Sequence, residues 1–259
     1  MKKTLLFLLL LITFSLNQVV RADDDEFTKA MVKAKKNLKT ALDKFDEKAM
    51  MKSRGDFERI LQLKKSTWLV YYYMALIDYN IATTAMQSED KDKIKKYTES
   101  GLELIDKSLL ERDNFSDTYV LKMSLLYNRF QYEMDKMQDI IAQVTEADAN
   151  AKKYDPTNPR YYLVKGVADY YTPAAFGGGV DKALPSLEKS AELFGLIKNT
   201  DETLPDWGVS MAYGYLTLAM LENGKTEEAK KYLDKGMELD PTSGFLTVYV
   251  KKQYDEKSK

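Results

Sequence analysis

Helix-breaking residues are scarce in this chain, and they fall in clusters. Six prolines and twelve glycines gather at a few places, and the long segments between them carry apolar residues three and four positions apart. That spacing lines one face of an α-helix, and no stretch alternates apolar and polar residues as a half-buried strand would. Ala34, Leu38, Ala41 and Leu42 form one such stripe, and Leu102, Ile105 and Leu109 another. The pattern predicts helices over 25–52, 56–65, 67–87, 90–111, 116–133, 136–153, 159–171, 180–197, 206–223, 226–239 and 242–256. Asp155-Pro156-Thr157-Asn158-Pro159 and Asp240-Pro241-Thr242-Ser243-Gly244 each stop one helix and open the next. Proline cannot continue a helix but suits a first turn, and the short polar side chains accept from its free amides. The expectation is an all-α chain of helix pairs joined by short turns.

The amino terminus stands apart. Met1-Lys2-Lys3 precedes an apolar run from Thr4 to Leu16 and then Val20-Arg21-Ala22. A basic start, a short apolar stretch and small residues at the end make residues 1–22 a secretory signal peptide with cleavage expected after Ala22, and the run is short for a membrane span. Residues 23–259 then form one helical-repeat domain, exported to the periplasm or beyond and without a stable span. The leader carries three of the 39 bases and none of the 40 acids, so the exported chain has a formal charge of −4 and no electrostatic reason to bind nucleic acid.

The chain contains no histidine and no cysteine. Triads built on histidine, thiol nucleophiles, disulfides and imidazole or thiolate metal sites are therefore closed to it. Carboxylate, lysine or tyrosine chemistry and oxygen-ligated cations remain open. The carboxylate pairs, Asp23 to Glu26 and Glu227-Glu228, read as solvated helix starts that favour the helix dipole. Gly224-Lys225-Thr226 ends like a phosphate-binding loop, but the first glycine of that motif falls at Ala219 inside a helix, so a hairpin turn is the better reading. No catalytic residue, metal ligand or cofactor is assigned.

Helix pairs with recurring stops call for a search for repeats. From Tyr213 to Pro241, Tyr213, Leu216, Thr217 and Met220 mark one helix, Asn223-Gly224 a turn, and Ala229, Leu233 and Gly236 the next. Ala229 to Leu233 is four residues, Leu233 to Gly236 three and Ala229 to Pro241 twelve. In this spacing the chain resembles the tetratricopeptide repeat (TPR) family. Arg160 to Ile197 forms a second unit with an insertion in its turn. Val144, Asp148, Ala151 and Pro156 keep the same spacing on the preceding helix, and the match weakens over 44–135, where Gly55-Asp56-Phe57 reads as a turn. The layout is also similar to secreted helical-repeat proteins of Bacteroidetes-type bacteria, through Trp68 to Tyr72, Asn158 to Arg160, the Thr172-Pro173 to Phe176-Gly177-Gly178-Gly179 turn, and Pro205 to Gly208. The resemblance implies a right-handed array of antiparallel helix hairpins, about ten helices after the leader, whose first helices line an inner surface.

Transferred to this sequence, that inner surface gives Tyr73, Arg160, Tyr170 and Tyr171 as partner-binding candidates, with Phe176, Gly177, Gly178 and Gly179 as a loop rim. The eighteen tyrosines fall partly in clusters, at 71–73, 161–162 and 170–171. Neighbours on a helix point about 100° apart, so no such cluster can be wholly buried. Phe176 is expected to anchor its loop between helices, because an exposed phenylalanine gains nothing there. The leading expectation is a non-catalytic scaffold holding a protein or peptide in its concave groove. The alternatives are a small-ligand or glycan-binding component of an envelope uptake system, and an unrecognised carboxylate-based enzyme.

Overall fold

A computed structural model describes residues 25–198 and 200–258. The leader expected over 1–22 lies outside the described residues. The described chain contains eleven α-helices and no strand: α1 (25–43), α2 (Glu47–Leu61), α3 (Thr67–Met86), α4 (Lys91–Glu111), α5 (Ser116–Asn128), α6 (Met137–Tyr154), α7 (Pro159–Tyr171), α8 (Val180–Leu196), α9 (Val209–Glu222), α10 (Thr226–Leu239) and α11 (Lys251–Lys257). A π-helical turn, Phe245–Val250, leads into α11. Among the described residues no helix is long and apolar enough to cross a membrane.

Consecutive helices pack as hairpins, α3 on α4, α5 on α6, α7 on α8 and α9 on α10, and the hairpins stack into a TPR-like solenoid. Small residues set the closeness within each pair. A Cβ on Gly236 of α10 would lie 2.8 Å from the Tyr213 Cβ of α9, and one on Gly166 of α7 would lie 2.7 Å from Leu187 of α8. Gly236 belongs to the spacing that carried the repeat resemblance, and larger residues at either glycine would push the paired helices apart.

Helix starts follow local chemistry. Asp46 and Asp90 accept from the Ala49 and Lys93 amides, and Asn158 accepts from the Arg160 amide with Pro159 in the first turn. The Asp46 cap corrects the sequence-based boundary. The first turn lies at 44–46, with Phe45 at φ 52°, and Gly55 sits inside α2. An N-cap aspartate followed by Glu47 outweighs one glycine that a helix tolerates at a cost near 1 kcal/mol. The helix expected to reach residue 133 stops at Asn128 and continues as two short 3₁₀ turns.

On α1, Phe27, Met31, Ala34, Leu38 and Ala41 form a buried stripe. The far end of α1 meets the far end of the chain. Lys39 Nζ lies 2.9 Å from Asp240 Oδ1, Thr242 Oγ1 donates to Asp43 at 2.7 Å, and Gly244 lies so close to the Asp43 carbonyl that a Cβ would be 2.1 Å from it. Between α2, α3 and α4, the buried carboxylate of Asp78 accepts from Arg54 Nε at 3.0 Å and Ser100 Oγ at 2.6 Å. Burial raises its pKa from 3.8 although both partners favour the charged form.

Candidate functional site

Two groups of touching aromatic rings stand out in the array. The first surrounds α3 and is closed. Phe57 stacks on Tyr73 at 5.1 Å, Tyr73 meets Tyr72 edge-on at 5.4 Å, and Tyr72 meets Phe115 at 6.0 Å. Tyr72 and Tyr73 are buried.

An extended strap between α8 and α9 completes this group. Buried connections need donors for their carbonyls, and here three helices supply them. Lys35 of α1 donates to the carbonyls of Glu202 and Leu204, both at 2.6 Å, and pairs with Asp206 at 3.2 Å. Tyr73 of α3 donates to the Thr203 carbonyl at 2.9 Å. Arg160 of α7 donates through Nη2 to Pro205 O at 2.6 Å and through Nε to Trp207 O at 2.8 Å, while Trp207 Nε1 donates to the Tyr72 hydroxyl at 2.7 Å. The Arg160 guanidinium also faces Asp117 at 3.5 Å. At the strap's end Gly208 takes φ +111°, where a side chain would be strained and would meet Phe194 and Leu163.

Tyr73 and Arg160 are therefore not a docking surface. They are 2% and 5% exposed, and their polar groups are spent on the chain's own strap. Leu163 of α7 and Ile77 of α3, on the same two helices, are buried as well.

The second group is open. Tyr170 and Tyr171 end α7, Tyr215 stands on α9, and Phe245 and Tyr249 come from the final helical stretch. The rings touch in sequence: Tyr170 and Tyr171 at 5.2 Å and 89°, Tyr171 and Tyr215 at 6.0 Å and 84°, Tyr215 and Phe245 at 5.4 Å, Phe245 and Tyr249 at 5.7 Å and 14°. These edge-to-face and offset arrangements suit the ring quadrupole. Gly214 makes room for Phe245, since a Cβ there would lie 2.3 Å from the ring. Tyr171 is 65% exposed and Tyr249 47%, and Tyr170, Tyr215 and Phe245 are half-buried, so the five rings form a shelf that is open to solvent at Tyr171 and Tyr249.

Two of the shelf phenols are held in their neutral form. Burial first, and then the hydrogen bond to Glu222, raise the pKa of Tyr170, and burial first and then Tyr171 raise that of Tyr215. Tyr79 of α3 belongs to the same electrostatic group, raised by burial and next, after the lowering by its Thr83 partner, by Tyr171. Two open crevices lie elsewhere, about 490 Å³ beside Lys91 and Tyr132 and about 330 Å³ beside Tyr127 and Ile141. No shelf residue lines either.

The glycine rim departs from expectation at its centre. Phe176 is 82% exposed and packs into no groove. Among the described residues no group of three acidic side chains is placed to hold a metal ion.

No family model matches the chain, and no curated protein matches it. Solved structures do. The chain is 25% identical to the HusA haemophore of Porphyromonas gingivalis, with TM-score 0.62 over 77% of this chain and 93% of that one. A thermophilic TPR protein of Thermus thermophilus matches at TM-score 0.56 and 15% identity, over 87% of this chain and 98% of that one, which speaks to the fold alone.

Sequence reasoning paired Tyr170 with Tyr171 but missed Tyr215, Phe245 and Tyr249. The four-residue spacing of Phe245 and Tyr249 signals a shared helix face, but nothing in the sequence says which other repeat that face meets. Lys35 and Asp78 were also missed, each a single charge in an ordinary amphipathic pattern.

Proposed function

We propose that this chain is an exported, non-catalytic carrier that holds a flat, largely apolar small ligand of the haem or porphyrin class against the tyrosine shelf, as part of an envelope uptake system. The observation that carries the reading is the run of five touching rings that opens to solvent at Tyr171 and Tyr249. Exposed aromatic surface on rigid helices forgoes burial, and a planar ligand recovers it, with each ring contact contributing about 0.5–1.5 kcal/mol beyond area alone. The likeness to a haemophore supports the same ligand class. The occupied strap also weighs against an extended peptide in the middle of the inner face, because Lys35, Tyr73 and Arg160 already bind one.

The residue set fits a ring-stacking site. Without histidine or cysteine, and with the Tyr170 and Tyr215 phenols held neutral, affinity would rest on the ring faces. Metal-free and iron-loaded macrocycles should then bind comparably.

The test is titration of the purified exported chain with haemin and with protoporphyrin IX, followed by the ligand absorption band. Binding of both with one stoichiometry, weakened about tenfold or more in Tyr171→Ala/Tyr215→Ala, is the expected result. An unchanged ligand spectrum in the wild-type chain would sink the reading. A protein partner is the second reading, favoured by the shelf's openness and by the exposed Val248 beside Tyr249. It predicts that an envelope protein is captured by the wild-type chain and lost with the Tyr170→Ala/Tyr171→Ala variant.

A further inference from the structure

We infer that Phe176 is the second jaw of the tyrosine shelf, an aromatic ring held out on a pinned loop to close on the solvent side of a flat ligand. The inference rests on the small-ligand reading above.

Burying a phenylalanine is favourable, yet this chain leaves Phe176 82% exposed in the loop that follows the very helix carrying Tyr170 and Tyr171. The loop's neck is fixed. Gly179 N–H donates to Asp169 O at 2.8 Å and Thr172 N–H to Ala168 O at 3.0 Å, so both loop ends are tied to the last turn of α7. At Gly178 a Cβ would lie 2.2 Å from the Thr172 carbonyl oxygen, so this tight neck excludes any side chain. The tip differs. Ala174–Phe176 makes one 3₁₀ turn, and Gly177 follows it at φ +85° with no atom within 4 Å of where its Cβ would be.

The neck is thus fixed, the Phe176 ring stands in solvent, and two glycines of positive φ, Gly177 and Gly179, follow it before α8. Such residues pass between backbone conformations at little steric cost. Phe176 is three residues from the neck at Gly179, roughly 10 Å of extended backbone at most, which keeps its ring in the neighbourhood of the Tyr171 end of the shelf. From Tyr170 to Val180 the sequence has no charged residue. An apolar tip opposite an apolar shelf suits a ligand with two apolar faces, and it leaves any carboxylates of that ligand to the edges.

A closing jaw acts mainly on release. Phe176→Ala should leave thermal unfolding unchanged, because the side chain makes no buried contact. It should speed dissociation of protoporphyrin IX about tenfold with little change in association rate. Phe176→Trp should restore slow release, since another large flat ring does the same work. If wild type and Tyr171→Ala/Tyr215→Ala differ in binding while Phe176→Ala releases ligand at the wild-type rate, the jaw is wrong and the shelf stands. If Phe176→Ala releases quickly and Phe176→Trp releases equally quickly, an aromatic jaw is again wrong. Failure of the wild-type chain to bind either macrocycle removes both readings together.

Discussion

The aromatic group around α3 and the one at the end of α7 use the same side chains for opposite ends. Tyr72 and Tyr73 stand next to each other in a helix, as Tyr170 and Tyr171 do, and each pair meets edge-to-face at 5.4 and 5.2 Å. What differs is what lies over them. The strap covers the first pair and takes up both hydroxyls, while no segment covers the Tyr171 edge of the second. Ring geometry alone therefore does not separate the two groups, and the cover over the rings does.

The comparison can be broken most forcefully at Arg160. Arg160→Met removes two strap hydrogen bonds and leaves the buried Asp117 without its cation. The expected cost is roughly 3–5 kcal/mol. At about 2–4 °C per kcal/mol, calorimetry should show unfolding on the order of 10 °C lower. An equally stable variant would mean that the strap is held by other contacts.

Tyr72→Phe is the milder form of the same break. It strands the Trp207 indole N–H and should cost about 1–3 kcal/mol in denaturant unfolding. Tyr171→Ala sharpens the contrast from the other side. Truncation at this exposed position should change stability by less than about 0.5 kcal/mol while weakening macrocycle binding about tenfold. If Tyr171→Ala destabilised the fold as Tyr72→Phe does, the two groups would be one kind of core.

The smallest effect expected is that of pH. Burial raises the phenols of Tyr170 and Tyr215 above the ordinary 10.0, so these two stay protonated through the neutral and mildly alkaline range. Macrocycle affinity should accordingly be flat between about pH 6.5 and 9.5, the span below the ordinary phenol pKa. A loss of binding centred near pH 8 would point to a group outside the shelf.

Much of the fold was legible because helix pairing is local. The spacing of Ala229, Leu233 and Gly236 records how closely α10 approaches α9, and both helices lie within thirty residues of sequence. The strap was not legible, because its donors are remote: Lys35 and Leu204 are 169 residues apart and Tyr73 and Thr203 are 130. Nothing in the local pattern distinguishes Arg160, a helix-start arginine, from a solvent-facing one. The site was half legible for the same reason. Tyr170-Tyr171 declares a helix with one ring turned outward, but its partners stand on α9 and on the last helical stretch. Phe176 misled for a different reason: that large apolar residues seek cover is a tendency of packing, and this ring is exposed on a loop tip.

The strap also bears on the order in which the molecule takes shape. In a stack whose members touch only adjacent members, the first pair of helices can settle as soon as it is made. Here Lys35 finds its oxygen partners only when residues 202–206 arrive, and Lys39 waits for Asp240. A chain threaded across a membrane from its amino end would thus keep its earliest helix unfinished until nearly all of its length had emerged. The array then closes like a belt whose buckle is at the front and whose tongue arrives last, and limited proteolysis during refolding should find α1 among the final segments to become protected.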